Sequence, residues 1–129
     1  MKSFLLAVGI LAVILLSVWL GTVAVQGQIN RISEAVEYIP LPPPVEYAAD
    51  LSVQREQVSR ILADWTAKEK WLSLLLDHTD MMEVRATMTE LYGAAEAGDA
   101  MTFSALHARL SYYLEHLSDL TRLSWENVL

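Results

Sequence analysis

The chain has 129 residues and carries 9 Lys and Arg against 16 Asp and Glu, which gives a formal net charge of −7. So acidic a chain is poorly suited to a phosphate backbone, and nucleic-acid binding is excluded as a leading function. Because cysteine is absent, a disulfide scaffold, a cysteine nucleophile and a thiolate zinc site are excluded as well. The hydrophobic content of 53% is high for a soluble domain and indicates a membrane segment.

The first predicted element is a transmembrane helix in residues 1–25, and its apolar run covers residues 4–25. Between Lys2 and Arg31 no residue carries a formal charge. At about 1.5 Å per residue the apolar run extends roughly 33 Å, enough to cross a hydrocarbon core of about 30 Å. The alternative is a cleaved signal peptide, with Thr22 and Ala24 as the small residues before the cleavage site. The run exceeds the apolar region of such peptides, usually about 7–15 residues, so we expect an uncleaved signal-anchor in the lipid bilayer.

The charges around this span predict its orientation. Lys2 and the α-amino group precede it, which favours a cytoplasmic N-terminus and an extracytoplasmic domain in a single-pass protein of the cell membrane. Without Lys2 the exported part has 8 basic and 16 acidic residues, a net charge of −8. Repulsion from anionic lipid should therefore hold the domain away from the membrane surface.

Two short segments follow the span. Residues 26–39 are predicted to continue the helix as a stalk, because Ile29, Ile32 and Val36 recur at helical spacing. Residues 40–44 contain all four prolines of the chain and predict an extended, semi-rigid linker. A proline-rich ligand for a recognition domain is the alternative, and a spacer is favoured because the run lies beside the membrane.

The remaining residues, 45–129, show helical periodicity and no strand pattern. The predicted fold class is all-α, with an antiparallel three-helix bundle whose helices cover about residues 47–76, 81–97 and 100–120. Asp80 is the predicted N-cap of the second helix, Gly98 its C-cap, and Asp99 the N-cap of the third. The apolar stripes predicted to form the core are Leu51, Val58, Ile61, Leu62, Trp65, Leu72, Leu75, Leu76, Met81, Val84, Met88, Leu91, Ala95, Phe103, Leu106, Leu110, Tyr113, Leu114 and Leu117.

The chain contains no motif typical of a nucleophile elbow, a zinc protease, a phosphate loop or an EF-hand. We therefore expect no enzyme activity, no catalytic residue, no cofactor and no small-molecule ligand. One His/acid cluster is a candidate: residues 81–97 and 100–116 are equally long, so His116 should lie level with His78, beside Asp77 and Asp80, at a membrane-distal pole. These side chains could ligate a divalent metal ion. Helix caps are the favoured interpretation, so no metal is expected.

Two tryptophans and one further histidine also bear on function. Trp65 lies on the apolar stripe and is predicted to be core, whereas Trp71 points nearly the opposite way. If exposed, Trp71 marks a docking face for a protein partner or a second copy of the chain; if the end of the third helix covers it, it is structural. His107 borders the apolar stripe and is predicted to be a boundary residue rather than a ligand.

Several residue patterns accompany the N-terminal span. They are Trp65-(x)5-Trp71-Leu72, Leu76-Asp77-His78, Leu91-Tyr92, Tyr113-Leu114-Glu115-His116-Leu117 and the ending Trp125-Glu126-Asn127-Val128-Leu129. Together they resemble the domain-of-unknown-function family four-three-six-three, small membrane-anchored proteins found mainly in spore-forming Gram-positive bacteria. The resemblance covers nearly the whole chain and implies a helical fold and an extracytoplasmic location. It implies no activity, because none is established for the family.

Two functions follow from these observations. The first is a membrane-anchored, extracytoplasmic interaction or scaffold module of the cell envelope, which binds a protein partner or a second copy through its helix faces. The alternative is a small envelope sensor or weak metal-binding protein that uses the His/acid cluster.

Overall fold

The structure, a computed structural model, describes residues 1–43 and 48–128, with side chains as far as residue 122. Within these ranges it contains four helices: α1 (Lys2–Glu37), α2 (Ser52–Leu72), α3 (His78–Ala97) and α4 (Ala100–Val128). No strand occurs in the described ranges, so the predicted all-α class is confirmed. The last predicted proline, Pro44, and the predicted helix start at residue 47 lie outside the described residues.

The ends of α3 show why this helix occupies these residues. Asp77, not the predicted Asp80, is the N-cap: its backbone is extended, and its carboxylate accepts a hydrogen bond from the Thr79 N–H at 3.3 Å. Asp80 falls in the first turn, where its charge still complements the helix dipole. Gly98 is the C-cap, as predicted, with a φ of 69°. A Cβ at this position would lie 2.5 Å from the Ala49 carbonyl oxygen, so a side chain is excluded there.

Helix α1 is continuous, but its two halves have different surroundings. Large apolar side chains between residues 4 and 20 are exposed, whereas Val25, Ile29, Ile32 and Val36 are fully or almost fully buried. The spacing of these four residues places them on one face, and α1 packs against both α4 and α2. The predicted division into a stalk and a three-helix bundle is therefore corrected. The second half of α1 is a bundle helix, because its apolar stripe fills the seam between α2 and α4.

The chain reverses its direction between α1 and α2 instead of extending the domain away from the apolar span. Gln54, near the start of α2, donates a hydrogen bond to the Pro40 carbonyl at 2.9 Å. Further along α2, Lys68 donates to the Gln28 side chain at 2.7 Å. Since later residues of α2 meet earlier residues of α1, the two helices are antiparallel. Helix α2 therefore runs back toward the apolar span, α3 runs away from it, and α4 returns.

This chain direction gives the bundle an anchor side and a far side. The turn between α2 and α3 lies on the anchor side, because a Cβ on Gly21 would lie 3.2 Å from the Leu75 Cδ1 atom. The turn between α3 and α4 lies on the far side, where the Ala49 N–H donates to the Gly98 carbonyl at 2.9 Å. The predicted membrane-distal pole at Asp77–Asp80 is therefore on the anchor side. The prediction assumed that the first bundle helix continues outward from an extended linker.

The core matches the predicted apolar stripes except near the end of α2. Most predicted core residues are buried, while Leu62, Leu76 and Tyr113 are partly buried at its margin. Leu75 is the exception, since 47% of its surface is exposed. The buried residues that all four helices contribute include Val25, Ile29, Ile32, Val36, Val58, Trp65, Leu72, Met81, Val84, Met88, Leu91, Phe103, Leu110, Leu114 and Leu117.

The packing of α1 leads to a prediction that separates a bundle helix from a stalk. Ile29→Asp should largely unfold the bundle in detergent micelles, because an unpaired buried charge costs several kcal/mol, roughly 3–5. Asn30→Asp places the same charge one residue later, on the exposed face, and should leave stability nearly unchanged. Chemical denaturation followed by far-ultraviolet circular dichroism measures both. Equal stability of the two variants would contradict a core role for α1.

Candidate functional site

Asp77, His78 and Asp80 of the predicted metal cluster lie at the α2–α3 turn and in the first turn of α3, where they have different surroundings. Asp77 caps α3, and His78 faces α2, in an open groove of about 550 Å³ that Lys70 and Met82 also line. Arg85 borders the same groove and pairs with Glu69 of α2 at 3.2 Å. The groove is bridged by its own ion pair, and its lining is mixed polar and apolar.

His116 lies on a different surface. Its ring is nearly parallel to that of Tyr112, with ring centroids 6.4 Å apart, and both side chains are exposed. It follows Arg109, which faces Glu90 of α3, by two helical turns, so it lies on the flank of α4 that faces α3.

The two histidines therefore lie on opposite sides of α3: His78 is on the side toward α2, and His116 belongs to α4 on the other side. His78 precedes Arg85 by two turns and shares the flank of α3 that faces α2, whereas Glu90 marks the flank that faces α4. Across the described residues, no group of three or more His, Asp or Glu side chains is placed to hold a metal ion. The predicted cluster of Asp77, His78, Asp80 and His116 is not assembled. The equal helix lengths predicted that His78 and His116 lie at the same height along the bundle, but they did not determine the helix face on which each histidine lies.

His107 connects two helices. Its Nε2 atom lies 2.7 Å from the Val36 carbonyl oxygen, in the last turn of α1, and the ring is partly buried. The Val36 carbonyl also accepts a hydrogen bond from the Ile39 N–H at 3.2 Å, and the imidazole N–H is a second donor to the same oxygen. The contact ties α4 to the end of α1, consistent with a boundary residue that has a structural role.

Two exposed carboxylates on the far side stabilise helix starts. The hydroxyl and the backbone N–H of Thr102 donate to Asp99 at 2.6 and 3.1 Å, and these bonds lower the pKa of the Asp99 carboxyl. Hydrogen bonds from Ser52 likewise lower the pKa of Asp50. Each bond favours the charged form, so its contribution to stability is lost as the pH falls through the lowered pKa. The shifts arise from hydrogen bonds at the starts of α2 and α4, which gives both residues a structural role.

The two tryptophans of α2 have contrasting surroundings. Trp65 is fully buried, and its indole N–H has no hydrogen-bond partner among the described residues. Trp71 is 40% exposed. The second interpretation places the end of α4 over this ring, and the side chains of residues 123–129 lie outside the described residues, so a docking role for Trp71 stays a prediction.

Trp71 belongs to an exposed apolar group at the end of α2, which we call the apolar tip and define as Trp71, Leu74 and Leu75. The three residues follow the helical spacing i, i+3, i+4, and Leu74 and Leu75 are 77% and 47% exposed. Leu75 contacts α1 beside Gly21, four residues or about 6 Å before the end of the predicted span. Leu74 was not among the predicted functional residues, and Leu75 was predicted to be core. The sequence feature that indicates exposed apolar side chains here is the run Trp71–Leu76, which contains more apolar residues than one helix face can bury.

Comparisons with known proteins identify a family but no activity. Residues 49–128 match the family described as Domain of unknown function (DUF4363). No curated protein and no solved structure matches the chain.

The contrast between the tryptophans gives a matched pair of variants. Trp65→Ala should lower the free energy of unfolding by about 3–5 kcal/mol, because it leaves a large cavity in the core. Trp71→Ala, six residues later on the exposed side, should cost about 1 kcal/mol or less in detergent micelles. Denaturant titration of the full chain measures both values. A loss below about 1 kcal/mol for Trp65→Ala would show that this ring is not core.

Proposed function

We propose that this chain, which belongs to the DUF4363 family, is a membrane-anchored interaction or scaffold module built directly on its membrane helix. One observation carries the proposal: α1 is a single helix of 36 residues whose first half is apolar and exposed and whose second half lies in the core. A helix of this kind attaches the bundle rigidly, so its surfaces are held at a defined height and orientation above the bilayer.

The anchor is supported by the surface of α1. Its most apolar 18-residue window has a mean hydropathy of 2.7 and is not buried within the structure. An N-terminal signal sequence passes the same test. Retention of the helix is proposed from the length of its apolar run, which exceeds the roughly 7–15 apolar residues usual in such peptides.

An interaction role is favoured over catalysis by the way the polar side chains are used. The histidines lie on separate surfaces, Asp77 and Asp99 cap helices, and Asp50 accepts a hydrogen bond from the Ser52 N–H before α2. Glu69 and Arg85 pair across the groove beside His78. These side chains already serve the fold. The exposed faces of the bundle helices are then the surfaces that bind a protein partner or a second copy of the chain.

The domain is proposed to be extracytoplasmic in the cell envelope. Lys2 precedes the span and Arg31 follows it at some distance, amid Glu34 and Glu37. A basic tail directly before the span favours a cytoplasmic N-terminus. With this orientation the far side of the bundle, at the α3–α4 turn, reaches furthest from the membrane.

Fractionation of the full chain tests the anchor. The protein should remain in the membrane pellet after an alkaline carbonate wash, and its intact mass should include residues 1–24. Leu11→Arg combined with Leu15→Arg should weaken insertion, since each arginine near the centre of a span costs about 2.5–3.5 kcal/mol. Val53→Arg, at an exposed position of α2, is the matched control and should stay in the pellet. A mature N-terminus at or near Val25 would refute the anchor.

The interaction role is tested in the same membranes. A photocrosslinking residue at Tyr112, which is 65% exposed on α4, should give a discrete adduct with a protein. The same residue at Val13, within the span, serves as the control for contacts made by the anchor alone. If Tyr112 gives no adduct beyond those seen at Val13, this helix face does not bind a partner.

A further inference from the structure

Among the residues with described side chains, the apolar tip is not part of the buried core. Leu72, between Trp71 and Leu74, is fully buried and already closes the core at this end of α2. The tip residues lie outside this closure, and Leu74 is among the most exposed large apolar side chains of the bundle helices and their turns. Three apolar side chains grouped at one turn mark a contact surface.

The position of the tip identifies the kind of surface that it contacts. Leu75 touches α1 beside Gly21, so the tip is continuous with the exposed apolar face of α1. Trp19, 42% exposed, lies two residues or about 3 Å closer to the middle of the span. Tryptophans are enriched where the hydrocarbon meets the headgroups, and Trp71 and Trp19 lie on two helices near that level.

Other helices of the bundle also expose apolar side chains toward this end. Met82, in the first turns of α3, is 54% exposed, and Leu120, near the anchor-side part of α4, is 37% exposed. Lys70 precedes the tip in the sequence, and Asp77 and Asp80 follow it, so polar residues flank the tip along the chain. Because two of these flanking residues are acidic, the contact should not require anionic lipid.

We infer that the apolar tip inserts into the interfacial region of the same bilayer that α1 crosses, so that the bundle contacts the membrane through a second element. This inference rests on the proposed anchor. It replaces the expectation that charge repulsion holds the domain away from the surface. The net charge describes the whole domain, whereas the contact is made by one apolar turn whose depth the Leu75–Gly21 contact sets.

The absence of cysteine permits a direct measurement in the full chain. Single variants Leu74→Cys, Val53→Cys and Val13→Cys each carry an environment-sensitive nitrobenzoxadiazole dye, in phosphatidylcholine vesicles with nitroxide-labelled acyl chains. All three positions are exposed in the structure, which limits any effect on folding. Val53, at the other end of α2, is the matched control, and Val13 reports on the anchor. Iodide added to the water measures aqueous access.

Quenching by the nitroxide lipid should reduce the emission from Leu74→Cys and Val13→Cys roughly twofold, and leave that from Val53→Cys unchanged. Quenching by iodide should be strong for Val53→Cys and weak for Leu74→Cys and Val13→Cys. If Val13→Cys is quenched and Leu74→Cys behaves like Val53→Cys, the tip is in water and the inference fails while the anchor stands. If Leu74→Cys is protected from both quenchers, a protein covers the tip and the inference also fails. An unquenched Val13→Cys would refute the anchor itself.

Discussion

The packing of Val25, Ile29, Ile32 and Val36 into the bundle is the interaction on which the rest of the structure depends. Because these side chains belong to the same continuous helix as the apolar span, burying them joins the span and the domain into one body. If the helix ended at the membrane surface, α2, α3 and α4 would leave an open apolar seam. Burial of each large aliphatic side chain contributes about 1.5–3 kcal/mol, so this face accounts for a substantial part of the stability of a small domain.

The direction of every other helix follows from this packing. Once α1 is a member of the bundle, the connection between α1 and α2 must turn the chain back, and α2 must run beside α1 in the opposite direction. The hydrogen bonds from Gln54 to Pro40 and from Lys68 to Gln28 lie along that descent. The α2–α3 turn then reaches the level of Gly21, and the turn that carries Gly98 lies at the opposite end. The bond from His107 to the Val36 carbonyl ties the returning α4 to the end of α1.

Much of the fold could be predicted from the sequence because local signals were strong. The apolar periodicity of α3 and α4 was unambiguous, and the Gly98–Asp99 pair marks one helix end and the next start. The segment with four prolines was ambiguous, because a proline run can extend a chain or reverse it, and only the partner of Ile29 and Ile32 decides between the two. That error inverted the bundle and assigned His78 to the wrong side.

The site was harder to predict than the fold. Helix lengths determine the height of a residue along the bundle, but the side of α4 on which His116 lies depends on the rotation of α4 about its own axis. The run from Trp71 to Leu76 looked like core because its composition is apolar. Its exposure becomes evident only when the end of α2 is placed beside Gly21, a contact between residues 54 positions apart in the chain.

The continuity of α1 also has a mechanical consequence. Its apolar run is somewhat longer than an average hydrocarbon core, and such helices relieve the mismatch by leaning away from the membrane normal. In a protein with a flexible linker between the span and the domain, the tilt of the helix would not change the orientation of the domain. If α1 spans the bilayer as proposed, the leaning helix is also a bundle helix, so the domain inclines with it, and a change in bilayer thickness becomes a rotation of the whole outer surface.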